Sequence, residues 1–287
     1  MKTIARPNPL VNYMRQPKIY IKLPTNGVYW PPKSLEMTET GEFPVYSMTA
    51  RDELIFKTPD ALLNGQGIVD VIQSCMPNIK NAWACPTLDL DSILMALRLA
   101  TYGERMTIKY KVPVIDEEVE FDLDIRHLMD QQLVNVGWEE EIKISAEISI
   151  FVRPLTYKHM TNVSLKSFET QRILNTVNDD TLSEEQKLSL FNSSFANLTQ
   201  ITVDLISESI FKVVTPDGEV ADPTFIKDFI SNSDKDLFNT IKDHLDRLKT
   251  NNEIKPITIN TTEEQREAGA PETYDIPVNF NNSDFFV

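Results

Sequence analysis

The residues able to do chemistry in this chain are few and scattered. Cys75 and Cys85 are its only cysteines, and His127, His159 and His244 its only histidines. A reactive thiol needs a base or a cationic neighbour to hold it as thiolate. Neither cysteine has a histidine or a Cys-x-x-Cys partner close in sequence, and the two cysteines and three histidines have no zinc-ligand spacing. Carboxylates crowd 116–124 and 139–141, which suits Ca²⁺ binding or an acid–base pair. Glu120, Asp122 and Asp124 alternate with apolar residues, however, as a solvated strand face does. The loop Asn64-Gly-Gln-Gly67 has glycines for cradling phosphate but no strand before it. Neither G-x-x-x-x-G-K-[ST], G-x-S-x-G nor H-E-x-x-H occurs. The expectation is a chain with no catalytic, cofactor-binding or metal-binding residue.

The elements that would position these residues follow from periodicity. Proline at 7, 9, 17, 24, 31, 32 and 44 forbids long helix in the first 47 residues, where two short strands fit, 18–23 and 43–48. Thr49 or Ser47 caps a short helix over 51–57, ended by Thr58-Pro59. Gly65 and Gly67 lead into IVDVIQSC, which buries Cys75 beside Ile72. Asp89 is expected to cap a stronger helix with Leu90, Ile93, Leu94 and Leu97 inward, closed by Gly103. The period then becomes two. Met106, Ile108, Tyr110 and Val112 alternate with lysines, and Val119, Phe121, Leu123 and Ile125 with carboxylates, as in a hairpin of opposite charges. A third strand, 142–150, would complete a three-stranded sheet with Ile108, Phe121 and Ile144 on its buried face.

From 155 the pattern is helical. One helix follows Pro154 to about 176. Ser183-Glu-Glu-Gln186 is a capping box for a helix that reaches towards Val213, with Leu188, Phe191, Phe195, Leu198 and Leu205 expected in its core. Pro216-Asp217-Gly218 ends that segment, Asp222-Pro223 starts a short helix, and Ser233 caps the last, with Leu237, Ile241, Leu245 and Leu248 inward. Two final strands, 254–259 and 274–280, faintly repeat the earlier hairpin. The fold class is therefore α+β: small antiparallel hairpins packed with helices, and a helical bundle in the C-terminal half. The expected units are a Pro-rich N-terminal arm (1–48), a helical unit with the sheet (49–152), the bundle (153–250) and a C-terminal hairpin and tail (251–287).

Composition narrows the function classes. The 287 residues carry 28 basic and 43 acidic side chains, a net charge of −15. This speaks against contact with a phosphate backbone and fits solubility or docking onto a basic protein face. No apolar run is long enough to cross a membrane. The opening MKTIARPNPLVNY lacks the apolar stretch of a signal peptide, so cytoplasmic assembly and reduced cysteines are expected.

Three stretches resemble the baseplate hub family of T-even-type contractile-tailed bacteriophages. The first is Leu23-Pro-Thr-Asn-Gly27 with Tyr29, then Val45-Tyr46-Ser-Met-Thr-Ala-Arg-Asp-Glu53. The second is Ile72-Gln-Ser-Cys75 with Asp89-x-Asp91-x-x-Leu94 and Arg98-x-x-x-Tyr102-Gly103. The third is Phe280-Asn-Asn-Ser-Asp-Phe-Phe286. Relatives that this resemblance implies carry Cys-x-x-Cys pairs in both hairpins, like small zinc ribbons. Here Lys111-Val-Pro-Val114 and residues 263–271 stand at those places, which speaks against zinc. Burial of Val112, Val114 and Val119 would then replace the folding energy of a metal site.

The resemblance implies a structural part of the baseplate hub, acting through contacts with other hub and tail proteins. It would assemble in the host cytoplasm, reside in the virion tail, work in an oligomeric setting and need no nucleic acid, membrane anchor or cofactor. The expected docking residues are Phe285, Phe286, Tyr29 and Trp30. Two other classes fit the same sequence: an assembly chaperone that leaves the particle, and a cell-wall-degrading hub enzyme, which would need paired carboxylates in a cleft.

Overall fold

The computed structural model describes residues 10, 14–56, 58, 64–115, 117–134, 137–176 and 183–278. Over the described residues it is α+β, with four small antiparallel sheets and helices packed between them. The expected N-terminal arm is integral to the largest core. Strands β1 (Pro17–Ile21) and β2 (Phe43–Tyr46) pair antiparallel, and Ile21, Leu23, Trp30, Phe43 and Val45 are all buried there. The prolines exclude helix, but the alternating apolar residues still give this segment one face to bury.

That face packs on two helices, α2 (Gln66–Cys75) and α3 (Thr87–Tyr102), and a shorter helix, α1 (Ala50–Phe56), packs on α2. Thr49 caps α1 reciprocally with Asp52: the Asp52 amide donates to Thr49 Oγ1, and Thr49 donates its own amide and hydroxyl to the carboxylate. Gly65 precedes α2 at φ 76°, and a Cβ there would lie 2.9 Å from Thr161 and 3.0 Å from the Tyr157 hydroxyl. Both the left-handed backbone and this close approach require glycine. Helix α3 starts at Thr87 with Pro86 as N-cap, so Asp89 sits inside its first turn and does not cap it. It runs to Gly103, whose amide donates to the Leu99 carbonyl.

The first hairpin forms in the expected register. Strands β3 (Arg105–Lys111) and β4 (Glu118–Asp124) set Lys109 opposite Glu120 and Ile108 opposite Phe121. Met106 and Leu123 are buried in the main core, while Ile108 and Phe121 are half-buried at its edge. β4 runs directly into α4 (Ile125–Val134), where Asp124 accepts from the His127 amide.

The expected third strand is two strands in another sheet. Ser145 Oγ accepts from the amides of Glu147 and Ile148, and this turn folds the run back on itself. β5 (Glu141–Lys143) pairs with β6 (Ser149–Val152), setting Ile142 opposite Ile150. A period of two continues through such a turn, so alternation alone did not reveal it.

Helix α5 (Tyr157–Thr176) and helix α6 (Glu184–Ser209) form an antiparallel hairpin of helices. The Ser183–Gln186 capping box is present. α6 stops at Ser209, short of Val213. The β-branched run that follows becomes β7 (Ile210–Thr215), which pairs with β6 and, through a turn at Pro216-Asp217, with β8 (Gly218–Val220). The C-terminal half is thus a four-stranded sheet, β5-β6-β7-β8, covered by helices. Ile206, Ile210, Val213, Ile226, Ile230, Ile241 and Leu248 bury in this second core. Its other helices are α7 (Pro223–Ser231), capped by Asp222, and α8 (Lys235–Asn252), capped by Asp234; Ser233 instead donates its hydroxyl to the Ile230 carbonyl.

The last strands, β9 (Ile257–Asn260) and β10 (Thr273–Ile276), pair antiparallel. The segment between them holds a short helix, α9 (Glu263–Glu267), with a Thr262–Gln265 capping box.

Candidate interaction site

The residues that carry the sequence pattern converge on two polar nodes inside the main core. In the first, Asp89 is fully buried and accepts three hydrogen bonds, from the Thr25 amide at 2.9 Å, Thr25 Oγ1 at 2.6 Å and Trp30 Nε1 at 2.7 Å. Burial pushes its carboxyl up, and the three donors pull the other way. The node ties the Leu23–Tyr29 stretch to the first turn of α3. In the second, Asp52 is buried and accepts from Thr49 and from Ser74 Oγ. Arg15 lies 3.6 Å from Asp52 and donates to the Ser47 and Ser74 carbonyls, joining the chain before β1 to α1 and α2.

Cys75 borders this second node. Arg15 Nη1 lies 3.7 Å from its sulfur, yet burial and the Asp52 charge push the thiol up to about 11. A thiol so held is protonated near neutrality and a poor nucleophile. Cys85 is buried too, its thiol raised by burial, and the two cysteines are not bridged.

The carboxylate clusters serve the fold. Glu140 accepts from the Tyr29 hydroxyl at 2.8 Å, Glu139 from Arg247 at 2.9 Å, and Glu141 from Ser149 at 2.8 Å. On the β3–β4 hairpin, Lys109 lies within 3.7 Å of both Glu118 and Glu120. A cleft of about 720 Å³ opens between β4, α4 and the chain that follows α8, with Asp122, Asp124, His127 and Gln131 on one wall and Glu253 and Lys255 on the other.

The two hairpins in which paired cysteines would be expected meet each other. Val112, Ala270, Tyr274 and Ile276 form a small apolar cluster there, Tyr110 stacks on Tyr274 with ring centroids 5.8 Å apart, and Gln265 donates to Glu117. Val112 and Val119 take part as expected. Val114 does not: it is exposed in the turn at φ 76°.

Of the expected docking residues, Trp30 is only 8% exposed and is spent on Asp89. Tyr29 is half-buried, with its ring edge-on to Trp138 at 6.4 Å. Phe285 and Phe286 lie outside the described residues. The apolar surface that sequence reasoning missed is on the helical hairpin. Leu188, Phe191, Phe195 and Leu198, expected in a core, are 61%, 50%, 65% and 37% exposed, and Phe168 on α5 is exposed as well. Helical spacing marks an apolar face, but it does not say whether the partner belongs to the same chain. The signal that was available is charge: from 188 to 203 the sequence carries no charged residue.

A family model described as T4 bacteriophage base plate protein covers residues 37–269. No curated protein matches the chain, and no solved structure does.

Proposed function

Because the chain belongs to the T4 bacteriophage base plate protein family, we propose that it is a structural subunit of the baseplate hub and acts through protein contacts without catalysis. The observation that carries this reading is the division of labour among its residues. Two acidic side chains of the sequence pattern, Asp52 and Asp89, are consumed in buried hydrogen bonds. The largest apolar side chains of α6 face outward. A catalytic carboxylate must reach substrate, whereas a subunit in an assembly needs a rigid body with an apolar face to bury. Cross-linking mass spectrometry on purified baseplates tests the placement. Cross-links to proteins at the distal end of the tail tube are expected. Cross-links confined to peripheral baseplate proteins would refute a hub position.

A transient assembly chaperone is the second reading. It is favoured by the net charge of −15, which suits masking of a basic partner face. It predicts that the protein is present in infected cells and missing from finished particles. A cell-wall-degrading enzyme is the least supported reading, and clearing of peptidoglycan in a zymogram by the purified chain would establish it.

A further inference from the structure

We infer that the exposed face of α6 is a self-association seam on which a second copy of this chain docks antiparallel, about a two-fold axis. Leu188, Phe191, Phe195 and Leu198 follow one another at steps of three, four and three residues. That is the a/d spacing of a seam between packed helices. Both the steps and the residue types read the same in either direction. A two-fold axis beside the centre of the run therefore sets Leu188 against Leu198 of the second copy and Phe191 against Phe195, twice over. A surface that complements itself in this way is what an isologous interface requires. An unrelated partner helix would have no need of it.

Charge and area support the same occupant. Two chains of net charge −15 repel, and the stretch 188–203 brings no charge to the contact. The Phe191 and Phe195 rings already lie side by side, with centroids 6.4 Å apart, as a preformed aromatic patch. At their observed exposures, the four side chains offer about 400 Å² per copy. With Asn192 and Thr199, the polar residues that flank the seam, a pair reaches roughly 1,000 Å², the size at which specific interfaces begin. The inference rests on the helix alone and holds whether or not the chain is a hub part.

Sedimentation equilibrium of the full chain at micromolar concentration tests it. A species of twice the 32.8 kDa chain mass is expected, more populated at higher salt because screening weakens the repulsion. The double variant F191E/F195E should be monomeric, with an unchanged far-ultraviolet spectrum and a melting temperature that, unlike that of the wild type, does not rise with protein concentration. Spin labels at Asn192→Cys and, separately, at Glu185→Cys give the direction. Antiparallel pairing predicts a separation about 20 Å shorter at 192 than at 185, whereas parallel pairing predicts similar separations and would overturn the proposal. A monomeric wild type overturns it. If removal of residues 279–287 then produces the dimer, the chain's own tail is the occupant. A dimer that survives F191E/F195E overturns it as well.

Discussion

The indole nitrogen of Trp30 donates to the carboxylate of Asp89 at 2.7 Å, inside the protein and across 59 residues of sequence. This bond fastens the proline-rich N-terminal segment to the helix beneath it. Removing the acceptor strands the Trp30 indole and both Thr25 donors. Asp89→Ala should cost about 3–5 kcal/mol, in the range for breaking a buried charged group away from its partners. Trp30→Phe should cost less, and the pair should couple by about 1–3 kcal/mol in a double-mutant cycle read by urea unfolding. Additive costs would show that the bond carries no stability.

The two hairpins hold each other by apolar contact. Ile276 is 1% exposed in their shared cluster, so Ile276→Ala should cost about 2–5 kcal/mol. Chelator should leave the melting temperature unchanged, and elemental analysis should find zinc well below one equivalent. Stoichiometric zinc, with a melting temperature that collapses on chelation, would contradict this account of the hairpins.

Burial and the facing Glu253 carboxylate push Asp91 up to about 6 from its ordinary 3.8. In the unfolded chain this carboxyl loses its proton near 3.8; in the folded protein it keeps the proton to about 6. Between those values the folded state binds more protons, so Asp91's contribution to stability falls as pH rises from about 4 to 6 and stays low above that. Asp91→Asn removes this fall. The variant should gain on the wild type steadily across the window, as read from denaturation midpoints at successive pH values. Parallel curves would mean that Asp91 titrates normally.

Ser194, on α6, is fully buried, and its hydroxyl has no hydrogen-bond partner among the described residues. Burying an unsatisfied hydroxyl is costly. Ser194→Ala should therefore be neutral or raise stability by about 1 kcal/mol. A loss of more than 1 kcal/mol would mean that the hydroxyl is bonded in solution.

The sequence made local features legible and left long-range partners undetermined. The Ser183–Gln186 box, the Asp222-Pro223 start and the Lys109–Glu120 pairing each depend on residues close together in the chain or on simple alternation. Asp89 reads as a cap in the sequence because an acidic residue near a helix start suits that role equally well. Only the fold brings Thr25 and Trp30 over it. The 142–150 run reads as one strand because Ser145 turns the chain without glycine or proline. Phe191 and Phe195 read as core residues, yet stand exposed, because periodicity gives the direction of an apolar face and not its partner. The absence of charge over 188–203 was the available clue that this face differs from an ordinary solvated one.

The central claim, a structural part of the baseplate, is tested most directly by counting this chain in purified virions with a quantitative immunoblot against a standard of the pure protein. The account predicts a small, fixed copy number per tail that survives stringent washing. Abundant protein in infected-cell lysate, with less than one copy per particle, would contradict it and leave the chaperone reading in its place.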